Sequence, residues 1–283
     1  MSIQNSKFPA RPADGKIQNL FCLRLAAVLC FLLSAFFSYS ANPVYYKTIP
    51  KIPLEIFINT TNDIFLLQKG MLERYDVDGN FLQNYGSIYI NERTQIISVN
   101  GFKTILFSPD YGKIIQLDNR LKEIDVIDAL SLGTYIITCV GTSYDNNFLW
   151  LWDAAKQQLV KLDKDHKAIY TSNTLSLLVG KKINPVQITE SGILLYLVDV
   201  KNGIFIFDNQ GNYIKNIPIE YTRNVKIIDG VIYYFKQNCI YSFDNLTFTE
   251  TRYTETPDLK NIQIGKTIVA GTNKEGFVEI WKF

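Results

Sequence analysis

Residues 63–85 read DIFLLQKGMLERYDVDGNFLQNY, and this stretch carries the pattern that predicts the fold. An apolar segment is followed by Lys69 and Gly70, a second segment that ends in Asp76, a short turn, and a third segment that begins at Phe81. Short segments rich in branched and aromatic residues, separated by tight turns, are typical of antiparallel β-hairpins. The stretch therefore predicts three consecutive β-strands.

The same pattern recurs along the chain. Later copies begin near residues 104, 148, 193, 231 and 267, and the second segment of each of the first five copies ends in an aspartate. From one such residue to the next, with Trp281 marking the sixth copy, the spacings are 42, 45, 45, 36 and 37 residues. A period of roughly 40 residues is the repeat length of a four-stranded propeller blade. The five aspartates are Asp76, Asp118, Asp163, Asp208 and Asp244.

Each copy is preceded by another apolar segment, which supplies the fourth strand of a blade. The sixth copy has no outer strand after residues 277–281, whereas residues 44–48 form a strand-like segment that belongs to no copy. Pairing of these two segments would complete the sixth blade and close the ring, which removes exposed sheet edges. The sequence therefore predicts an all-β fold, a six-bladed β-propeller of four-stranded blades closed by an N-terminal strand. The preceding segments are residues 55–59, 95–99, 135–139, 185–189, 225–228 and 261–264.

Two of the turns resemble those of a known superfamily. Residues 75–81 (YDVDGNF) and 207–213 (FDNQGNY) are similar to the Asp-x-x-Gly-Asn hairpins of NHL-repeat and related six-bladed β-propellers. Glycine permits the positive φ that such a turn needs, and aspartate can accept hydrogen bonds from turn amides. The resemblance covers the repeats as an architecture. It implies a disc with a central channel, which such proteins use for scaffolding, ligand binding and, in some members, catalysis.

The composition excludes several classes of protein. With 20% charged residues, 17 Tyr and 18 Phe, the chain is not typical of a disordered protein. Four Cys in 283 residues are too few for a disulfide-stapled scaffold. A formal charge of +2 gives no basic surplus for displacing counterions, so we expect no nucleic-acid partner. A single His argues against His-based catalysis and against metal sites built from several His.

Residues 1–40 differ from the rest of the chain and predict a signal peptide. Four basic residues precede residues 25–37 (LAAVLCFLLSAFF), in which only Ser34 is polar, and small residues follow at Ser38 and Ser40. This run suits the hydrophobic region of a signal peptide and is short of the roughly 20 apolar residues that a membrane span needs. We expect cleavage after Ser40, with an uncleaved membrane anchor as the alternative.

Cleavage would leave residues 41–283 as a single β-propeller domain. That domain has 25 basic against 26 acidic residues, a formal charge of −1. Cleaved or anchored, we expect a periplasmic or extracellular protein, in contact with a membrane only through an uncleaved anchor. Cys139 and Cys239 lie in apolar segments, and we expect buried free thiols, with a disulfide between them as the alternative.

Candidate catalytic groups are sparse. The five repeated aspartates occupy one structural position, so we interpret them as turn-stabilising residues. His166 falls in the matching turn of the third copy, and we assign it no role. Residues 78–80 (DGN) resemble part of a calcium loop, but the other carboxylates of an EF-hand are absent. No nucleophile-elbow, metalloprotease or phosphate-loop motif occurs, and we expect neither a cofactor nor a metal.

A lysine lies in or beside the predicted turn between the second and third strands of every blade. In a propeller these turns share one face with the connections between blades, so six ammonium groups there would attract an anionic partner. The competing explanation is that lysine keeps exposed turns soluble. The longest connection, residues 172–184, mixes leucines with Lys181 and Lys182 and is a second docking candidate, unless it folds over its own blade. The six lysines are Lys69, Lys113, Lys156, Lys201, Lys236 and Lys274.

These observations favour an exported, non-catalytic scaffold. We predict a monomeric disc that binds another envelope or secreted protein, or an envelope polymer, through the lysine-bearing face. The alternative is an exported enzyme, or a binder of a small ligand or metal, that uses the central channel. The missing catalytic motifs favour a binding role and leave the question of enzymatic activity open.

Overall fold

The computed structural model describes residues 42–97, 101–133, 135–219 and 225–283. The predicted signal peptide, residues 1–40, lies outside the described residues. The described part of the chain contains 24 β-strands, which form six antiparallel sheets of four strands each. The predicted fold is confirmed: the protein is a six-bladed β-propeller.

Five blades are continuous in sequence. The first contains β2 (Glu55–Ile58), β3 (Ile64–Gln68), β4 (Met71–Tyr75) and β5 (Phe81–Gly86). The second contains β6 (Gln95–Ile97), β7 (Lys103–Ser108), β8 (Lys113–Asp118) and β9 (Glu123–Asp128). The third contains β10 (Ile137–Thr142), β11 (Leu149–Asp153), β12 (Gln158–Leu162) and β13 (Ala168–Thr171). The fourth contains β14 (Pro185–Ser191), β15 (Leu194–Asp199), β16 (Gly203–Asp208) and β17 (Tyr213–Ile217). The fifth contains β18 (Lys226–Ile228), β19 (Val231–Lys236), β20 (Cys239–Asp244) and β21 (Thr249–Glu255).

The sixth blade joins both ends of the described chain, as the sequence predicts. Its strands, in spatial order from the outer edge, are β1 (Val44–Ile49), β24 (Val278–Lys282), β23 (Ile268–Thr272) and β22 (Lys260–Ile264). β1 runs antiparallel to β24, so that Val44 lies opposite Lys282 and Ile49 lies opposite Val278. The buried side chain of Ile49 shares a core cluster with Ile64 of the first blade. The N-terminal strand therefore supplies both hydrogen bonds and core packing to the ring.

The core lies between neighbouring blades, which explains the continuous apolar runs of the middle strands. All five residues of β11 (Leu149–Asp153) are buried. Trp152 belongs to the same core cluster as Phe205 of the fourth blade, whereas Leu151 belongs to the cluster of Phe107 in the second blade. Successive side chains of a strand point to opposite faces, and here both faces are covered by another blade.

The repeated aspartates stabilise turns, as predicted. Asp118 Oδ1 accepts hydrogen bonds from the backbone N–H groups of Arg120 at 2.7 Å and Lys122 at 2.8 Å. The backbone N–H of Lys122 is the largest cause that holds the pKa of Asp118 below its ordinary value. The other four carboxylates also accept two backbone N–H groups each, and these residues are Asp76, Asp163, Asp208 and Asp244.

Two further features of the sequence have structural outcomes. Cys139 and Cys239 are both buried and free, so the alternative of a disulfide between them is wrong. Burial raises the pKa of the Cys139 thiol to about 12. No helix among the described residues is both long and apolar enough to span a membrane.

Candidate functional site

One face of the disc is built from two kinds of loop: the turns between second and third strands, and the connections between blades. We name it the connection face. Backbone hydrogen bonds tie the two kinds of loop together in several blades. The N–H of Gly70 donates to Ile90 O at 3.2 Å, and the N–H of Ala129 donates to Gly112 O at 2.7 Å. The predicted shared face is therefore present, and its loops are held to one another.

The structure places the six candidate lysines on this face but gives them different surroundings. Lys113 Nζ lies 3.0 Å from Asp128 Oδ2, and Lys274 Nζ lies 3.0 Å from Asp258 Oδ2. Both ion pairs reduce the positive charge that the sequence pattern implies. The ammonium of Lys156 lies 5.2 Å from the centre of the Tyr135 ring.

The other three candidates are less constrained. Lys69, Lys201 and Lys236 are exposed, and none of them forms an ion pair with a carboxylate that the structure describes. Lys236 Nζ lies 5.7 Å from the centre of the Tyr241 ring. The face thus presents separated cations rather than a uniform basic ring.

Exposed apolar side chains accompany these cations. The 172–184 connection contains the short helix α1 (Leu175–Val179), which ends at Gly180 in the left-handed conformation. Leu175 is buried in the core, whereas Leu177 is 83% exposed and Leu178 is exposed as well. The connection therefore folds over its blade through one leucine and presents the other two to solvent. Other exposed apolar residues in the connections between blades are Ile52, Leu54, Ile88, Leu130 and Ile136.

The central channel is a second candidate site. A cavity of about 410 Å³ runs along the innermost strands, and its walls include residues of all six blades. The turns between first and second strands form a mouth on the face opposite the connection face, with Thr61, Tyr144 and Lys266 among its residues. This volume falls in the range of roughly 300–1,000 Å³ that is usual for small-molecule sites.

Lys226 extends across the channel wall. Its ammonium donates a hydrogen bond to the carbonyl oxygen of Ile58 and lies 4.8 Å from the centre of the Phe57 ring. Lys226 belongs to the fifth blade, whereas Ile58 and Phe57 belong to the first. Its side chain therefore connects two blades that are not neighbours in the ring, because the sixth blade lies between them. Burial in the channel wall lowers the pKa of Lys226 to about 8, because it disfavours the charged form. The Ile58 carbonyl uses one of three ammonium donors, and two remain for a ligand or water.

Glu55 is the uncompensated carboxylate of this cavity. It begins the inner strand of the first blade and lines the channel, where its side chain is accessible yet surrounded by protein walls. Burial raises the pKa of Glu55 to about 7, with no opposing contribution from a neighbouring cation. Among the described residues, the Glu55 carboxylate has neither a hydrogen-bond partner nor an ion-pair partner.

Three glutamines place amide groups in the same cavity. Gln95 Nε2 donates to Thr138 O at 3.0 Å, and Gln187 Nε2 donates to Val225 O at 3.0 Å. Each of these bonds connects one blade to the next and leaves the amide oxygen as an acceptor. Gln263, from the sixth blade, lines the cavity as well.

The remaining charged groups of the channel are already paired. Glu190 is buried and accepts hydrogen bonds from Trp150 Nε1 at 2.7 Å and from the backbone N–H of Tyr144 at 3.1 Å. At the mouth, Lys266 Nζ lies 3.2 Å from Asp229 Oδ2. Glu55 consequently differs from the other charged groups of the channel, because its carboxylate has neither a hydrogen-bond partner nor an ion-pair partner among the described residues, whereas Glu190 is hydrogen-bonded and Lys226 contacts a carbonyl oxygen.

The described residues contain no group of three or more His, Cys, Asp or Glu that could hold a metal ion. Asp78, in the turn that resembles part of a calcium loop, instead pairs with Lys282. His166 sits at its hairpin tip with its Nε2 atom 3.0 Å from Asp125 Oδ2, a contact with the outer strand of the second blade that the sequence does not indicate.

Sequence reasoning about individual residues does not single out the channel residues Glu55 and Lys226. The inner strands carry a signal that could have found them. Polar side chains alternate there with buried isoleucines such as Ile56 and Ile227, and the polar side of an innermost strand faces the axis of the ring.

Comparison with solved structures supports the class of fold. A streptogramin B lyase matches with a TM-score of 0.52 and 14% identity, over 84% of this chain and 86% of the lyase. The β-propeller domain of Cps50 (Swd1) from Myceliophteria thermophila matches with a TM-score of 0.55 and 12% identity, over 85% and 99% of the two chains. The Pan2 WD40 domain of Neurospora crassa matches with a TM-score of 0.56 and 8% identity, over 88% and 91%.

These relatives share the β-propeller architecture with this chain, and such low identities show the fold alone. No protein-family model and no curated protein matches the sequence. The chain is thus a β-propeller of six four-stranded blades, the sixth of which is completed by the N-terminal strand.

Proposed function

We propose that the protein is an exported, non-catalytic scaffold whose connection face docks an acidic, partly apolar surface of another envelope or secreted protein. The observation that carries this proposal is that exposed leucine and isoleucine side chains share one face of the propeller with exposed lysines. Leu177 and Ile88, for example, are 83% and 81% exposed.

Charge and hydrophobicity act together in this proposal. Apolar side chains such as Leu177 would be buried at the centre of the interface, where burial contributes most to affinity. Lys69, Lys201 and Lys236 would accelerate association with a partner of opposite charge. The backbone hydrogen bonds between loops reduce the ordering cost of docking, because the face is already formed. The acidic, partly apolar surface of the partner is inferred from the lysines and the exposed apolar side chains of this face.

The compartment is part of the proposal. The hydrophobic run and small residues of positions 25–40 support export, and residues 41–283 would then be the exported domain, as a single disc. N-terminal sequencing of the protein isolated from the envelope and from the medium of its native host tests this step. A new terminus at Ala41 supports cleavage, an intact N-terminus in the membrane fraction supports an anchor, and recovery inside the cell in unprocessed form overturns export.

Docking can be tested by crosslinking in the native host followed by mass spectrometry, with three forms of the full chain: the wild type and two variants. The double variant Leu177→Asp with Lys201→Glu changes the connection face. Leu246→Asp is the matched control, because Leu246 is 88% exposed in a turn between third and fourth strands on the opposite face.

The proposal expects a stoichiometric protein that crosslinks to the wild type and to the Leu246 variant, and is lost from the double variant. The captured protein should then bind the purified wild type with a Kd at least tenfold tighter than it binds the double variant, a difference of about 1.4 kcal/mol. Equal capture by all three forms, or no stoichiometric partner, would overturn docking through this face.

A further inference from the structure

We propose that the central channel binds a small zwitterion, with the ammonium group of the ligand at Glu55 and its carboxylate at Lys226. This inference is independent of the proposed docking function, because the channel residues that it uses are different from the exposed leucines, isoleucines and lysines of the docking proposal. The ligand class follows from the charges that the channel leaves unpaired and from their positions on the wall.

The two charged groups are held at different depths. Glu55 and Phe57 are two residues apart on β2, so their side chains point to the same side and are separated by about 7 Å along the strand. The ammonium of Lys226 is fixed beside the Phe57 ring at 4.8 Å. A ligand that reaches both groups therefore needs its own charges several atoms apart. A short peptide or an ω-amino acid meets this requirement better than an α-amino acid.

The neighbouring groups reinforce this polarity. The amide oxygens of Gln95 and Gln187 are available as acceptors, because the amide nitrogens are bonded to carbonyl groups of the next blade. Carboxylate and amide oxygens together favour a cationic group. Lys226 keeps two N–H donors for a carboxylate. Apolar residues of the channel wall, such as Ile97 and Val186, can contact the methylene or peptide portion of the ligand.

Binding should be linked to protonation. A cation that binds at Glu55 favours the charged carboxylate, so a proton leaves the protein when binding occurs near neutral pH. The other charged or titratable groups that line the cavity are Tyr144, Glu190, Lys226, Asp229 and Lys266. Calorimetry in two buffers with different ionisation enthalpies measures the number of protons released.

The direct test is isothermal titration of the full chain with glycylglycine and with ω-amino acids from glycine to 6-aminohexanoate. N-acetylglycylglycine lacks the ammonium, and glycylglycinamide lacks the carboxylate. We expect at least one zwitterion to bind with a Kd below about 1 mM, and removal of either charge to weaken binding by about tenfold or more. Because both charges must reach their partners, the affinity should rise with the length of the ω-amino acid.

Variants assign each charge to its residue. Glu55→Gln should weaken the zwitterion and glycylglycinamide about tenfold, but leave N-acetylglycylglycine unaffected; Lys226→Met should show the converse pattern. Lys164→Met, at an exposed position in the turn between the third and fourth strands of the third blade, is the matched control and should leave every Kd unchanged. A thermal melt of each variant verifies that it is folded.

Several results would overturn the proposal. These are the absence of binding by every zwitterion in the series, equal binding of the acetylated and free peptides, and unchanged affinity in both folded channel variants. The docking function fails by different measurements. The channel variants should still capture the partner protein, and the double variant at Leu177 and Lys201 should still bind the zwitterion.

Discussion

The ammonium of Lys282 lies 2.6 Å from Asp78 Oδ1, and this ion pair connects residues 204 positions apart. Lys282 belongs to the sixth blade and Asp78 to the outer hairpin turn of the first. Lys47 of β1 reaches the same turn, where its ammonium donates to the backbone oxygens of Asp78 and Gly79, each at 3.1 Å. The closure of the ring is thus reinforced by side chains at the seam between the first and last blades.

Removal of this seam should destabilise the whole ring. Deletion of residues 42–48 removes the pairing with β24 and the Lys47 contacts, and we expect Tm to fall by roughly 10 °C or more, since each kcal/mol shifts Tm by about 2–4 °C in a domain of this size. Lys47→Met should cause a smaller fall in Tm. This variant keeps the prediction testable if the deletion prevents folding. Val44→Ser, at an exposed position of the same strand, is the control for differential scanning calorimetry. A deletion variant that melts like the wild type would show that β1 does not hold the ring closed.

At neutral pH, the stability of the turns that contain the repeated aspartates should depend on the acceptor oxygen more than on the negative charge. Asp118→Ala removes the acceptor for two backbone amides and should lower Tm, whereas Asp118→Asn keeps an oxygen in place and should retain most of the stability. The protein itself contains this solution, because Asn273 Oδ1 accepts from the backbone N–H groups of Glu275 and Phe277. Thermal melts at pH 7 test the ranking.

The pH dependence of the same variants follows from the lowered pKa of Asp118. A folded-state pKa below the unfolded value contributes stability above the unfolded pKa of about 3.9, and this contribution is lost as the pH falls through the folded-state pKa. The difference in stability between wild type and Asp118→Asn should therefore shrink below pH 4. Asp165→Asn changes an exposed carboxylate at another hairpin tip and is the control. A difference that stays constant down to pH 2 would contradict this explanation.

Glu55→Gln should stabilise the protein above neutral pH. The folded-state pKa of about 7 exceeds the unfolded value of about 4.3, so the folded state binds more protons in this window and stability falls as the pH rises through it. The glutamine variant lacks this loss and should have a Tm a few degrees higher at pH 8, the gain being limited by the water that reaches the channel. Glu92→Gln, at an exposed position, is the control. A Tm at or below that of the wild type at pH 8 would count against an uncompensated carboxylate.

Lys226→Met should change the slope of stability with pH in the opposite sense. The folded-state pKa of about 8 lies below the unfolded value of about 10.4, so the unfolded state binds more protons between these values. Stability of the wild type should rise with pH from about 8 to 10 relative to the variant. Urea denaturation at several pH values measures this difference, and parallel curves for wild type and variant across that range would contradict it. Lys69→Met is the matched control.

The fold was predictable because its determinants repeat. Six copies of one pattern report the blade period independently of any single strand, and the unmatched segment at Val44 indicates the ring closure. Bounds were predicted less well where a connection continues the apolar pattern. The inner strand of the third blade begins at Ile137 rather than Tyr135, since the carbonyl of Ile136 accepts a hydrogen bond from Ala154 and the chain there belongs to the connection face.

The candidate sites were predictable only in part. The position of the lysines follows from topology, since all six lie in or beside the turns between second and third strands. Their ion pairs do not follow, because Asp258 reaches Lys274 from a connection whose path depends on the neighbouring strands. The channel residues were not predicted for a related reason. Glu55 and Lys226 line one cavity only because the blades form a ring, and no spacing along the sequence indicates which residues face that cavity.

The pairing of Val44 with Lys282 also has a consequence for how the protein reaches its folded state. The sixth blade cannot form until β24, the partner of β1, has been synthesised more than two hundred residues later. This pairing raises the contact order of the fold and predicts slow closure of the ring. Before the ring closes, β24 of one molecule can pair with the β1 strand of another. Refolding at high protein concentration should therefore divert chains into exchanged dimers, and dilution should restore the monomer.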